Sequence, residues 1–293
     1  MTHIGVDMGG TKCAGVLFGD DHVILAEMSV ATPVGGEAVI DAIVGVVVEL
    51  SKNAQERPRT VGVGVPGLVT PEGSLRYAPH LFGVVEMPLQ RVLGDRIGRP
   101  VRVVNDNTAA GWAEHRVGAG RGFNHMVYVG LGTGIGGAII ANGMLSEGQH
   151  GFAGEMGHMT IDRGGARCVC GRRGCWELYG SGTGLARLAG APGETVTGAA
   201  RNGDDWALGI LHRFASDVAV GLADLVNILD PGCIVLGGGV LDPPEPLLGF
   251  IRGALGECLG DASAHRRLPE VRAAMIGKRA GALGASMLAA DVR

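Results

Sequence analysis

The sequence predicts an α/β fold of two lobes, and three observations support this prediction. Its 293 residues are enough for about two domains. Two segments, 4–18 and 127–140, share one pattern: an apolar strand, a turn of Gly and Thr residues, and a second apolar strand. Around them, apolar stretches of strand length alternate with helical stretches, which is typical of parallel or mixed sheets covered by helices. Each lobe is therefore expected to carry one glycine-rich hairpin turn.

The composition narrows the class of protein. Its 46% hydrophobic and 18% charged residues indicate a globular chain, and its 53 glycines, without a fixed period, indicate tight turns and close backbone approach to a ligand. A net charge of −4 without a basic block argues against nucleic acid or an anionic membrane as partner. Asp7 interrupts the first apolar run, so no secretory signal is expected, and the isolated cysteines favour a reducing, cytoplasmic location. The uncharged segment 126–146 holds six glycines and is predicted to form two strands, not a membrane span.

The remaining elements are predicted from apolar spacing and from helix stop signals. Proline is expected to end the longest helix at Pro231, and Pro66-Gly67 follows a short strand. A Gly- and Cys-rich segment, 147–182, is predicted to be irregular. The predicted helices cover 37–50, 108–117, 205–229 and 280–290, and the predicted short strands cover 61–65, 101–104 and 233–236.

The first hairpin turn has the residues of a phosphate-binding site. Gly9 and Gly10 would let backbone N–H groups approach phosphate oxygens, while Thr11 and Lys12 add a hydroxyl and a positive charge. Asp7 could hold Mg²⁺, directly or through water. The spacing is not that of a Walker loop, and a strand follows where a dinucleotide-binding motif has a helix. A plain β-hairpin turn that needs glycine is the alternative interpretation.

The second hairpin turn, Gly132-Thr133-Gly134, is a weak motif by itself. Two such turns, one on each lobe and facing one cleft, would hold a polyphosphate from both sides. A strand end at Asn105-Asp106 gives way to a helix, where Asn105 is a plausible N-cap. Asp106, ionised beside the helix N-terminus, could accept a hydroxyl proton during attack on a phosphate. Simple helix capping would also explain this Asp.

A metal site is predicted from the spacing H-x9-C-x-C-x4-C, formed by His158, Cys168, Cys170 and Cys175. Four ligands of this type form a closed tetrahedral zinc site of structural character. Reduced thiols in a core are the alternative. The zinc would fix segment 147–182, which also carries Glu155 and Glu177. Rigidly held carboxylates suit sugar hydroxyls, although solvated surface acids would look the same.

Together these motifs resemble the ROK family of sugar kinases and repressors over nearly the full chain. The turn 7–12 resembles the first phosphate motif of the family, and 131–137 resembles the second. Residues 168–177 are similar to its C-x-C-G-x-x-G-C-x-E signature, and 154–158 to its G-E-x-G-H motif. The resemblance implies a two-lobed, actin- and hexokinase-like (ribonuclease H-like) fold with a cleft between the lobes. One lobe would span 1–117, completed by helix 280–293, and the other 118–279.

The resemblance also implies a function and a set of site residues. The expected activity is ATP-dependent phosphorylation of a hexose, at the 6-hydroxyl of glucose or a close analogue, with Asp106 as general base and Mg²⁺ and structural Zn²⁺ as cofactors. His158 would serve twice, with one ring nitrogen on zinc and the other toward the sugar. The expected sugar-binding residues are Asn105, Glu155, His158, Glu177, Gly67 and His80. The expected ATP-binding residues are Asp7, Gly9, Gly10, Thr11, Lys12, Gly132, Thr133, Gly134, Gly237, Gly238 and Gly239.

The chain departs from the family's glucokinases at two places. They usually read Glu-Asn-Asp-Ala-Asn where this chain has Val104-Asn-Asp-Asn107-Thr108, and Pro-Asn-Leu where this chain has Pro79-His80-Leu81. The second loop lies beside the sugar in such kinases, so an amino-deoxy hexose such as kanosamine, or an N-acylhexosamine, is an alternative substrate. An inactive sugar-binding protein is a further alternative, and a sugar-responsive repressor is disfavoured because the first kinase strand begins at the N-terminus. A homodimer or tetramer is expected by resemblance, whereas the sugar, the phosphoryl donor (ATP or polyphosphate) and the pathway stay open.

Overall fold

The structure is a computed structural model, and it describes residues 1–54, 56–78, 81 and 84–291. Its strands are β1 (Thr2–Met8), β2 (Lys12–Gly19), β3 (Ile24–Ala31), β4 (Thr60–Val65), β5 (Leu68–Val69), β6 (Leu75–Tyr77), β7 (Val85–Met87), β8 (Val101–Asn105), β9 (Met126–Leu131), β10 (Ile135–Ala141), β11 (Met144–Leu145), β12 (Cys233–Gly237) and β13 (Glu270–Ala273). Its α-helices are α1 (Gly36–Lys52), α2 (Leu89–Ile97), α3 (Asp106–Val117), α4 (Glu177–Gly180), α5 (Gly182–Ala189), α6 (Gly193–Arg201), α7 (Asp205–Leu229), α8 (Leu247–Leu259) and α9 (Ala280–Asp291).

These elements form two compact units, named here by their residues. Unit 1 comprises Met1–Gly118, Leu145–Gly154 and Lys278–Arg293, and unit 2 comprises Ala119–Met144 and Glu155–Gly277. The division expected from the sequence placed all of 147–182 in the second lobe. The structure groups Leu145–Gly154 with unit 1 instead, where Glu147 pairs with Arg102 at 3.2 Å.

Unit 1 is built on a five-stranded sheet with the order β3-β2-β1-β4-β8. β1 pairs antiparallel with β2 and parallel with β4, and β4 pairs parallel with β8. Because side chains alternate along a strand, Ile4, Val6 and Met8 face the apolar core that α1 covers. The alternate positions on β1, Gly5 and Asp7, face α9.

α9 packs unusually closely on the other face of this sheet and on α3. A Cβ atom on Gly5, Gly62 or Gly284 would overlap the backbone of a neighbouring element: Gly5 and Gly62 meet α9, and Gly284 meets Ala109 of α3. α9 itself is rich in Ala and Gly, and its residues 280–287 are buried. Small side chains on both surfaces therefore allow backbone-to-backbone packing, which brings the start of α9 to Asp7.

Unit 2 repeats this strand arrangement. Its sheet has the order β11-β10-β9-β12-β13, and β9 pairs antiparallel with β10 and parallel with β12. The internal repeat predicted from the sequence therefore corresponds to two hairpins of the same topology. The core of unit 2 forms where the sheet packs with the long helix α7 and with α8 around buried residues such as Trp176 and Phe214.

Most of the elements predicted from the sequence are confirmed. Both hairpins form, Asn105 caps α3, and α7 covers the predicted residues 205–229. The expectation that 147–182 is entirely irregular is wrong at one end, because α4 begins at Glu177. Within the described residues, no helix has the length and apolar character that crossing a membrane requires.

Candidate active site

The first glycine turn, Gly9-Gly10-Thr11, joins β1 to β2. The Gly9 N–H donates to the Lys12 carbonyl at 2.8 Å, which closes the turn. Thr32 braces it from behind, since its hydroxyl donates to the Gly9 carbonyl at 2.6 Å and its N–H donates to the Thr11 carbonyl at 3.1 Å. Gly10 and Thr11 are exposed. The turn is thus held by its own unit while its outer side is open to a ligand.

Asp7 lies directly before this turn, half-buried against the start of α9. A Cβ atom on Gly281 would lie only 2.8 Å from Asp7 Oδ2, so glycine at this position makes room for the carboxylate. Burial, and then the negative charge of Asp106, raise the pKa of Asp7 to about 7. Two carboxyl groups that feel each other's charge form a place where a cation such as Mg²⁺ would relieve repulsion.

Asp106 is the first residue of α3, and its neighbour Asn105 positions it. The Asn105 side-chain oxygen accepts hydrogen bonds from the N–H groups of Asn107 and Thr108 at 2.9 and 3.0 Å. The Asn105 amide donates to the Gly67 carbonyl at 3.1 Å. These contacts fix the N-terminus of α3 to the loop after β4, and they bring together three of the predicted site residues in unit 1.

The second glycine turn, Gly132-Thr133-Gly134, is braced by a helix instead. The Gly182 N–H at the start of α5 donates to the Gly132 carbonyl at 2.7 Å, and the Thr183 hydroxyl donates to the Thr133 carbonyl at 2.8 Å. Gly182 and Thr183 were not among the residues predicted from the sequence. The available signal was Ser181, which caps α5 by accepting from the Gly184 N–H at 3.1 Å.

The glycines after β12 lie beside this second turn. Gly238 has φ +94°, and a Cβ atom there would overlap the backbone of Leu131, the last residue before the turn. Around Gly239 there is open space, because among the described residues only its own chain neighbours come within 4 Å of a Cβ placed there. The second turn, the start of α5 and Gly237-Gly238-Gly239 therefore lie close together in unit 2.

The four predicted metal ligands, His158, Cys168, Cys170 and Cys175, form one cluster. Their ligand atoms all lie within 4.8 Å of one another. Gly171, at φ +88°, closes a tight turn in which the Cys168 N–H donates to the Arg172 carbonyl at 2.8 Å. Burial raises the pKa of Cys168 to about 12, so a divalent cation would have to displace its proton. Three thiols and one imidazole are the donor set that suits Zn²⁺.

Two acids flank the His158 ring on opposite sides. Nδ1 lies 3.8 Å from Cys168 Sγ and 3.4 Å from Glu177 Oε1, whereas Nε2 lies 3.9 Å from Glu155 Oε2. Glu177 also reaches the second glycine turn, because a Cβ atom on Gly134 would lie 2.8 Å from its Oε2. This carboxylate thus lies between the Cys/His cluster and the second turn.

Trp176 anchors the cluster to the core of unit 2. It is fully buried, its indole N–H donates to the Asp217 carbonyl on α7 at 3.1 Å, and a side chain on Gly221 would overlap its ring. Because Trp176 lies between Cys175 and Glu177 in the chain, its packing against α7 also fixes the positions of these two residues. The last predicted sugar-binding residue, His80, lies outside the described residues.

Glycine turns that expose backbone N–H groups and a carboxylate at a helix N-terminus are groups that phosphoryl-transferring enzymes use. Residues 3–292 match the ROK family. Glucokinase of Streptomyces coelicolor is 36% identical, with 98% of this chain and 97% of that protein covered. N-acetylmannosamine kinase of Escherichia coli O157:H7 is 35% identical, with 99% and 98% covered.

A solved structure of a ROK family protein also matches the fold of this chain. The ROK family glucokinase from Streptomyces griseus, crystallised with glucose and AMPPNP, superposes with a TM-score of 0.91 at 36% identity, and 99% of each chain is covered. The chain belongs to the ROK family, and its fold is the actin- and hexokinase-like α/β fold of the ROK sugar kinases.

Proposed function

We propose that this ATP-dependent sugar kinase phosphorylates a hexose hydroxyl, with Asp106 as the general base. The observation that carries the proposal is the placement of Asp106 at the N-terminus of α3. Its charge is felt by Asp7, the residue that precedes the first glycine turn. A helix N-terminus favours an ionised carboxylate, and an ionised carboxylate can accept the hydroxyl proton as the sugar oxygen attacks the γ-phosphate.

Unit 1 supplies the groups for phosphoryl transfer in this proposal. The exposed N–H groups and hydroxyl of Gly10 and Thr11 bind phosphate oxygens, and Lys12 adds positive charge. Asp7 holds Mg²⁺, directly or through water, which neutralises charge on the phosphates when bound. Asn105, fixed to Gly67 at 3.1 Å, binds a sugar hydroxyl beside Asp106. The bond between the γ-phosphorus and the ADP oxygen breaks as the bond between the γ-phosphorus and the sugar oxygen forms, and the sugar proton passes to Asp106.

Unit 2 supplies hydrogen-bond partners for the sugar and the nucleotide. Glu155 and the Nε2 side of His158 are proposed to bind sugar hydroxyls, and Glu177 to orient them. The second turn and Gly237-Gly238-Gly239 bind the nucleotide. Zn²⁺ at the Cys/His cluster would have a structural role, because four protein ligands leave no open position for catalysis.

The sugar is proposed to be glucose or a close analogue. The Streptomyces relative is a glucokinase, whereas the Escherichia coli relative of nearly equal identity is an N-acetylmannosamine kinase, which favours retaining an N-acylhexosamine as the second candidate. An amino-deoxy hexose such as kanosamine is the third. Discrimination between them depends on hydrogen bonds to single hydroxyl or amino groups, which can change specificity by several orders of magnitude.

The experiment measures ADP release with ATP–Mg²⁺ across a panel of hexoses: glucose, mannose, glucosamine, kanosamine, N-acetylglucosamine and N-acetylmannosamine. The matched variant is Asp106→Asn, which we expect to lose roughly three or more orders of magnitude in kcat, because the general base is gone. Sugar binding, measured by calorimetry, should persist. Turnover that survives in Asp106→Asn would remove Asp106 from the role, and no turnover on any sugar would favour a sugar-binding protein without activity.

A further inference from the structure

An open cavity in unit 1 has no role in the function proposed above. Its volume is about 510 Å³, within the roughly 300–1,000 Å³ of small-molecule sites, and it is lined by the three-stranded sheet β5-β6-β7 and by residues of the segment 149–152. Leu68, one of the described lining residues, follows Gly67 in the chain. Because the Gly67 carbonyl accepts from the Asn105 amide at 3.1 Å, the cavity begins one residue from the loop that positions Asn105.

The wall opposite the three-stranded sheet is fixed against β5. Gly151 has φ +81°, and a Cβ atom there would lie 2.4 Å from the Val69 carbonyl oxygen, so glycine permits this close approach. Arg102 ties the same region together, since it donates to the Pro71 carbonyl at 3.0 Å and pairs with Glu147 at 3.2 Å. Contacts within unit 1 therefore hold both walls of the cavity.

Glu86 on β7 lines the cavity in an uncommon backbone conformation. Its φ of 50° lies in the left-handed region, which most side chains other than those of Asn and Asp avoid. Its carboxylate pairs with Arg76, which lies opposite it in the antiparallel pairing of β6 with β7. Both side chains are more than half exposed, and exposed ion pairs contribute little to stability. Stability therefore does not explain why a carboxylate is held at this position, whereas ligand contact does.

The chemistry of the lining selects a class of ligand. Glu72 and Glu86 repel phosphates and other anions, Arg76 opposes a metal cation, and the charged groups disfavour a purely apolar ligand. A carboxylate can accept from two neighbouring hydroxyl groups, and a guanidinium can donate to two. Phe152 adds an aromatic ring, on which the C–H groups of a pyranose can pack. This combination suits a neutral ring that carries several hydroxyl groups.

We propose that this cavity is a saccharide-binding pocket, in which Arg76 and Glu86 bind hydroxyl groups and Phe152 packs against the sugar ring. Among the described residues, its lining shares no member with the set proposed to bind the phosphorylated sugar. The ring in the pocket has two possible sources, the second unit of a disaccharide whose first unit is phosphorylated, or a separate hexose. The first source rests on the proposed function, and the second does not.

Glu86→Gly separates a binding role from a structural role. Glycine adopts a φ of 50° without strain, so this variant removes the carboxylate and should be at least as stable as the parent. Phe152→Leu removes the aromatic ring but keeps apolar bulk. His22→Gly is the matched control, because His22 also has a positive φ, 63°, is exposed in unit 1 and does not line the cavity.

Titration calorimetry and ligand-observed NMR measure the binding of glucose, maltose and cellobiose to the full chain without ATP. If both rings belong to one molecule, the Kd of a disaccharide should rise roughly tenfold in Glu86→Gly, while the Kd of glucose changes less than about twofold. If a separate hexose binds, glucose should show two binding events in the parent and one in Glu86→Gly. Phe152→Leu should weaken the same event, and His22→Gly should match the parent.

The outcomes separate the pocket from the proposed function, because binding is measured without catalysis. Unchanged binding of all three sugars in Glu86→Gly and Phe152→Leu would overturn the pocket, even in an active kinase. A loss of binding in Glu86→Gly that accompanies a fall in Tm would also overturn it, since the carboxylate would then have a structural role. A protein that loses pocket binding in these variants, but releases no ADP with any sugar in its parent form, would overturn the proposed function alone.

Discussion

The two glycine turns share one topology but are held in different ways. The first, Gly9-Gly10-Thr11, is braced by hydrogen bonds from Thr32 on a loop of its own sheet and carries the half-buried Asp7. The second, Gly132-Thr133-Gly134, is braced by the N-terminus of α5, and Glu177 lies between it and His158 of the Cys/His cluster. The same hairpin thus lies beside a carboxylate in unit 1 and beside a cluster of predicted metal ligands in unit 2.

The two turns therefore differ in what each needs to keep its position. The first turn depends on charge, because Asp7 is held near Asp106 and against α9. The second turn depends on how the neighbouring segment 159–176 is held. Among the described residues this segment contains only two isolated β-bridges and no long helix or strand, so the Cys/His cluster has to fix it. A change of charge at Asp7 should therefore affect unit 1, and a change in the Cys/His cluster should affect unit 2.

The largest expected effect comes from breaking the scaffold of the second turn. In Cys175→Ser, one of the four cluster ligands is replaced at a fully buried site, and we expect the free energy of unfolding to fall by roughly 4 kcal/mol or more, together with the metal content. Elemental analysis and urea unfolding measure both. Hydrogen exchange should rise around 159–183, whereas the amides of β1 and β2 should keep their protection.

Cys258→Ser is the matched control, because Cys258 is exposed and lies outside the cluster. It should leave metal content and stability unchanged. A Cys175→Ser protein with full metal and full stability would show that the second turn does not depend on the cluster.

A smaller effect is expected from the charge in the first unit. The pKa of Asp7 is raised from 3.8 to about 7 in the folded protein, so between about pH 5 and pH 7 the unfolded state has lost a proton that the folded state retains. Ionisation in the folded state is opposed by burial and by Asp106, and the wild-type protein therefore loses stability as pH rises through 7. Relative to Asp7→Asn, the loss should be about 2–3 kcal/mol between pH 5 and 8.

Urea unfolding of both proteins at the two pH values, without added Mg²⁺, measures this difference. Taking the wild type and Asp7→Asn as a pair removes the contribution of groups that titrate in both, including the cluster thiols. A stability difference that is the same at pH 5 and pH 8 would mean that Asp7 is not the group that titrates.

The smallest effect tests how α5 braces the second turn. Thr183→Val removes one neutral hydrogen bond, from the Thr183 hydroxyl to the Thr133 carbonyl, in an exposed setting. We expect a loss of about 1 kcal/mol, seen as a rise of roughly fivefold in the KM for ATP with kcat nearly unchanged. Thr197→Val, which loses a hydroxyl hydrogen bond within α6, is the matched control and should leave the KM for ATP unaltered. A fivefold fall of kcat with an unchanged KM for ATP would indicate instead that the turn acts in the transition state.

Local signals explain which features could be predicted from the sequence. The bounds of α7 were predicted because apolar spacing over 25 residues ends before Pro231, and the cluster was predicted because its ligands are close together in the chain. The contact of Gly281 with Asp7 could not be predicted, since it joins residues far apart in sequence and depends on backbone packing. The grouping of Leu145–Gly154 with unit 1 was missed for the same reason.

The return of the chain to unit 1 sets an order of assembly during synthesis. Unit 2 lies within the sequence of unit 1, so all of its residues have left the ribosome once residue 277 has emerged, whereas α9 follows later. Until α9 is made, Gly5 of β1 and Gly62 of β4 lack the helix backbone that covers them, and Asp7 lacks the helix that shields it. A nascent chain can therefore complete the unit that carries the Cys/His cluster first, and the carboxylate pair of unit 1 is finished last.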